Sequence, residues 1–175
     1  MHEFSELVDR CVYFTLEELE KLQERVMEAL QTSAATPLVK ALQMIRLSKA
    51  ILVVGMFSMF ESILQDKLDC SNGFKDVKEF LKQKEEVELL DRFIELELAV
   101  NALKHGKGKS YNALIERLGG KIRSKVKKPD EYFFDEGDVS EVAVLVDVDD
   151  NFIHYCPQTI RDISEVIDKE NSQYQ

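Results

Sequence analysis

The chain has 175 residues, 45% of them hydrophobic and 32% charged, with a formal net charge of −10. That length suits one domain with a real core, and the apolar share excludes a disordered chain. The acidic balance argues against a general nucleic-acid binder, which would be basic overall. Cys11, Cys70 and Cys156 are odd in number, widely separated and outside any Cys-x2-Cys or Cys/His spacing. They read as free thiols of a reducing compartment. Only His2, His105 and His154 could join them as ligands, and no ligand pair is close in sequence, so neither a structural zinc nor a cofactor is expected. Residues 1–6 are acidic and run straight into a helical pattern, without the look of an N-terminal signal. The longest apolar run, residues 50–60, is too short to span a bilayer. A cytoplasmic protein with no membrane partner is the expectation.

In chain order, residues 4–31 read as a long helix, with apolar residues near a helical period and a break suggested by Thr15 before Leu16-Glu17-Glu18. Thr36 then caps a second helix, with Pro37 at its first position. This helix runs over residues 37–68, and its middle is apolar nearly all round, which predicts the centre of the fold. Gly55 interrupts it at a cost of about 1 kcal/mol relative to Ala, tolerable where a neighbouring helix needs close approach. Cys70-Ser71-Asn72-Gly73 is a stop signal, and a short helix over residues 74–83 follows. A fourth helix over residues 85–105 buries Val87, Leu90, Phe93, Ile94, Leu98 and Ala102, and ends at Gly106. A short helix spans residues 110–118. Beyond it, residues 142–148 read as a β-strand, turned by Asp149-Asp150-Asn151 into residues 152–155 as a hairpin partner. A last helix covers residues 157–169. The fold class is mainly α: an up-and-down bundle of four to five helices (residues 1–120), with a small antiparallel β-hairpin and a C-terminal helix (residues 121–175) packed on the same domain.

Charge is unevenly distributed. Residues 104–128 carry a local net of +8, and residues 129–175 a net of −11. The basic stretch opens directly behind His105, where residues four apart place Glu97, Asn101 and His105 on one polar stripe of an otherwise apolar helix. His105 suits general acid–base work near neutral pH; equally, a histidine at a helix C-terminus suits the dipole there. Asn101 is placed to orient His105 or contact a substrate, or to fix the register of a dimer seam. Lys104, Lys107 and Lys109 suit phosphate contacts, and Tyr111 would stack on a base or pack on the bundle. Glu61, at the end of the apolar run, and Glu97 are candidate supporting carboxylates. Asp147-x-Asp149-Asp150 lacks the glycine and distal glutamate of a calcium loop and reads as a turn.

The stretch Val100-Asn101-Ala102-Leu103-Lys104-His105-Gly106 resembles the motif of the HEPN superfamily (higher eukaryotes and prokaryotes nucleotide-binding domains), in which an Arg, often followed by Asn, precedes a His near the end of a long helix. Met56-Phe57-Ser58-Met59-Phe60-Glu61 is similar to the second-helix segment of several members. The resemblance covers residues 4–118. It implies a symmetric homodimer with the Asn101/His105 helix near its interface. It also implies an RNA-targeting protein of toxin or defence type with an antitoxin-like protein partner. Where HEPN ribonucleases place Arg, this chain has Leu98, Ala99 and Val100. Two functions follow: a metal-independent endoribonuclease using His105 and Asn101, or a non-catalytic dimeric module that binds RNA or a partner protein.

Overall fold

Apolar residues at helical spacing organise nearly all of the described chain. The computed structural model describes residues 1–117, 120, 122, 125–128 and 144–173. Six α-helices are present there: α1 (His2–Leu30), α2 (Thr36–Leu68), α3 (Gly73–Gln83), α4 (Val87–His105), α5 (Lys109–Glu116) and α6 (Asp150–Gln173). The helical-bundle expectation holds. Thr15 causes no break, and α1 runs on unbroken through it.

Turn chemistry sets the ends of the middle helices. Asp69 takes a left-handed conformation (φ 49°) to close α2, and the Asn72 side chain accepts the Lys75 N–H at 2.9 Å to open α3. Gly73 permits the tight α2–α3 joint, because a Cβ there would lie 2.7 Å from the Glu61 carbonyl oxygen and 2.8 Å from the Leu64 Cβ. Gly106 (φ 71°) stops α4, as expected, and its N–H returns to the Ala102 carbonyl at 2.9 Å.

The core is built on aromatic rings from three helices. Phe57 and Phe60 of α2, Phe74 of α3 and Phe93 of α4 pack with ring centroids 5.3–6.5 Å apart. Phe4 of α1 stacks on Phe60 from the other side. Helix α6 packs against α1, α2 and α4, burying Phe152, Ile153, Cys156, Ile160, Ile163 and Ile167. Ion pairs give the directions. Lys49 of α2 meets Asp150 at the start of α6 (2.5 Å), and Lys84, just before α4, meets Glu170 near the end of α6. Helix α4 therefore runs antiparallel to both α2 and α6.

Three expectations need correction. The β-hairpin is not formed: among the described residues the only β pairing is a single antiparallel bridge between Val126 and Val146. Phe152–Tyr155 belong to α6 instead, because Asp149 accepts the Phe152 N–H at 2.8 Å and starts a helix whose apolar residues then recur at helical spacing. Residues 142 and 143 of the expected strand lie outside the described residues. Pro157, expected to open the last helix, lies inside it. The buried positions of α4 also differ from the single stripe expected. Leu89, Leu96, Ala99 and Val100 are buried while Val87 is 71% exposed, because α4 is covered by α2, α3, α5 and α6 together.

The fourth expectation, a central α2 buried all round, is met on one side only. By length and composition alone α2 is apolar enough to cross a membrane, yet only a third of its most apolar stretch is buried in the bundle. Met44, Leu47, Ile51 and Met59 are each 44–62% exposed.

Candidate nucleic-acid interface

The joint between α4 and α5 assembles the polar residues singled out by their spacing. His105 is the last residue of α4, exposed, with Asn101 half-buried one turn before it. Neither side chain has a hydrogen-bond partner among the described residues. Lys104, Lys107 and Lys109 are all exposed, and none pairs with an acid among the described residues. By contrast Lys49, Lys78, Lys84 and Lys125 are each held by a carboxylate. What marks the three cations around His105 is their crowding into six consecutive residues.

Local backbone adds to this charge. Helix α5 begins after Gly108 without a side-chain cap, and its first helical backbone bond is from Asn112 to the Gly108 carbonyl (3.0 Å). Lys109 and Ser110, the first two residues of α5, stand at the positive end of its dipole, where a helix has no intrahelical acceptor for its N–H groups. Lysines beside a helix N-terminus can receive an anion.

The remaining candidates fall elsewhere. Glu97 is bound in a two-pronged ion pair to Lys78 of α3 (2.7 and 3.0 Å), which ties α3 to α4. Glu61 lies beside Phe60, which is level with Phe93. His105 is twelve residues farther along α4, about 18 Å away at 1.5 Å per residue. Tyr111 is 2% exposed, and its hydroxyl donates to the Lys127 carbonyl at 2.7 Å. Its ring is packed in the bundle and does not offer a stacking platform. What Tyr111 does is moor the basic segment 125–128 alongside α5.

Leu98, Ala99 and Val100, the positions that the resemblance gives to the arginine of HEPN ribonucleases, are built into the core. Ala99 is fully buried and Val100 is 2% exposed; Leu98 packs against the core. Among the described residues, no three His, Cys, Asp or Glu side chains come together to hold a metal ion. The acidic turn is occupied by cations of the protein: Asp149 pairs with Lys125 and Asp150 with Lys49. Burial, then the Asp149 charge, push the Asp147 carboxyl above its ordinary value, against the pull of Lys125, Arg46 and Lys49. Burial alone would raise Asp149 as well, but the Lys125 ion pair and the Phe152 N–H outweigh it and hold Asp149 below the ordinary value.

One polar residue essential to this end of the chain carries little mark in the sequence. Glu95, on α4, is 2% exposed and accepts the Ile122 N–H at 2.7 Å. The single available signal is an acid set between Ile94 and Leu96 on a helix with more than one buried face. Near it Arg92 pairs with Asp162 (2.5 Å) and lies 5.9 Å from the Tyr155 ring centre. Burial, followed by the Glu95 charge, pushes the Tyr155 phenol up to about 12.

Comparison with family models, with curated proteins and with solved structures finds no match for this chain.

Proposed function

We propose that the α4–α5 joint is an RNA-binding site of HEPN-like type. In this reading the chain is a cytoplasmic RNA-targeting protein of toxin or defence kind, which an antitoxin-like protein would restrain. The observation that carries the reading is the group of three exposed lysines without acidic partners, Lys104, Lys107 and Lys109, around an exposed His105. An RNA phosphate seated there meets lysine charge at the positive end of the α5 dipole.

The chemistry assigned to the site is metal-independent cleavage. His105, neutral, takes the proton from a ribose 2′-OH as its oxygen attacks the adjacent phosphorus. The P–O5′ bond breaks, the leaving 5′-oxygen takes up a proton, and a 2′,3′-cyclic phosphate remains. Lys107 and Lys109 offset the charge that develops on the phosphoryl oxygens, as point charges without the bidentate fork of an arginine. Asn101 contacts the substrate one helical turn from His105.

A second reading, a non-catalytic module that binds RNA or an acidic partner protein through the same lysines, is favoured by two observations. The positions that the resemblance gives to the arginine are filled by core residues, and no hydrogen bond orients the His105 ring among the described residues.

The test is incubation of total RNA in EDTA with the wild-type protein and with His105→Ala and Lys107→Glu/Lys109→Glu variants, all confirmed as folded by circular dichroism. Cleavage leaving 2′,3′-cyclic ends, lost in His105→Ala, supports the enzyme. RNA retention without cleavage, lost only in the lysine variant, supports the binding module. Intact RNA together with no retention by the wild-type protein refutes both.

A further inference from the structure

The outward face of α2 has a symmetry that the bundle itself does not use. Between residues 38 and 66, the exposed positions of this helix form one stripe, with a charged residue at each end and none between: Lys40 begins it and Asp66 ends it. Neither end residue has an ion-pair partner among the described residues. The positions are also paired by size about the level of Val53. Lys40 and Asp66 are equidistant from that level, as are Met44 and Ser62, Leu47 and Met59, and Ile51 and Gly55. Each pair but Leu47/Met59 sets unlike partners opposite, long against short or cation against anion.

We infer that this face is the contact between two copies of the chain, packed through antiparallel α2 helices about a two-fold axis near Val53. In such a pairing every residue meets its mate twice, as an isologous interface requires. Lys40 of each copy faces Asp66 of the other. Ile51, 62% exposed, rests over Gly55 of the second copy, where the space around an added Cβ is empty to 4 Å. Met44 lies over Ser62, and Leu47 against Met59. No neighbouring helix of the same chain explains Gly55, and a second α2 does.

The area agrees with a dimer of modest affinity. A stripe from Lys40 to Asp66, 26 steps of about 1.5 Å and one helix wide, covers roughly 400 Å² on each copy, about half of a standard interface. Helix α1, which packs on α2, also exposes Leu7, Cys11 and Phe14, at helical spacing from Phe4, whose ring stacks on Phe60. The inference is independent of the RNA-binding reading. Because α4 packs on the buried side of α2, this dimer carries its two His105 residues on outer flanks rather than face to face at a seam.

Sedimentation equilibrium across low to high micromolar concentrations tests it, with the full chain and exposed-site variants. The wild type is expected to approach twice the 20.2 kDa chain mass as concentration rises. Lys40→Glu and Asp66→Lys each oppose like charges, and each is expected to weaken the dimer at least tenfold. The double variant Lys40→Glu/Asp66→Lys restores the attraction and the dimer, which separates interface loss from misfolding. Gly55→Leu, which fills the notch, is expected to give a monomer with an unchanged helical spectrum. A wild-type monomer at every concentration overturns the inference. So does a dimer that ignores both charge variants. Flotation of a monomeric wild type with phosphatidylcholine vesicles would assign the face to lipid instead.

Discussion

The carboxylate of Glu95 and the backbone N–H of Ile122 form a buried hydrogen bond of 2.7 Å across 27 positions of sequence. It joins the middle of α4 to the segment that leads into the basic residues 125–128. A Cβ at Gly120 would overlap the same carboxylate, so the chain passes Glu95 closely before and during that contact. Glu95→Ala leaves the Ile122 N–H buried without an acceptor, and is expected to cost about 1–3 kcal/mol. Glu95→Gln keeps an acceptor and should lose less. Urea denaturation gives the two costs, and hydrogen exchange at the Ile122 amide should accelerate more in the Ala variant.

Asp147 and Asp149 respond to pH in opposite directions. The raised folded-state pKa of Asp147 means that its charged form is penalised in the fold at neutral pH. The penalty is relieved as pH falls through that folded value toward the unfolded one, since the native state then binds the proton first. Asp147→Asn is therefore expected to raise the melting temperature at pH 7, with the gain disappearing at acid pH. Asp149, held below its ordinary value, contributes stability above the unfolded value of about 3.9 and loses it as pH falls through the folded one. Asp149→Ala, which also removes the α6 cap, should cost about 1–2 kcal/mol at pH 7. Thermal melts of both variants between pH 3 and pH 7 check the two signs. An equal shift at every pH would count against the assignment.

An arginine placed at position 100, where the resemblance to HEPN ribonucleases would put one, is not expected to confer RNA cleavage. Val100 is 2% exposed among core residues, so Val100→Arg buries a guanidinium without a partner and is expected to cost more than about 3 kcal/mol. Asn101→Arg, at a half-buried position on the His105 face, should fold as the wild type does. RNA cleavage by the two variants, alongside their melting temperatures, tests this. A stable, more active Val100→Arg protein would sink the expectation.

Gly73→Ala drives a methyl group into the Glu61 carbonyl and the Leu64 Cβ at the α2–α3 joint. An overpacking cost of about 1–3 kcal/mol is expected, measured as a lower urea midpoint. Gly55→Ala should stabilise the monomer, by up to about 1 kcal/mol, because its surroundings are open.

Much of the helix layout was legible in the residues themselves. Asn72 opens α3 and Gly106 closes α4 through contacts within a few positions, and such local chemistry needs no knowledge of the remaining fold. The α4–α5 cluster of His105 and three lysines was legible for the same reason, since these residues are neighbours in sequence. Phe152–Tyr155 misled, because a short apolar and aromatic run after a turn signal reads as a strand. What makes it helical is the Asp149 cap and the packing of its apolar residues against α1, α2 and α4.

By itself, then, the sequence determined most of the helices, the stops of α2 and α4 and where its charge collects, because those properties rest on propensities, caps and spacing along the chain. It did not determine the start of α6 at Asp150, the continuity of α1 through Thr15 or the start of α2 at Thr36 after Ala35. Tertiary structure alone decided which apolar face of α2 is covered and which is left outward. It likewise decided that Glu97 answers Lys78, that Glu95 holds Ile122, and that Val146 meets Val126. Periodicity reports that a face is apolar, but a helix with several such faces is resolved only by the neighbours that pack on it, and those lie tens of residues away.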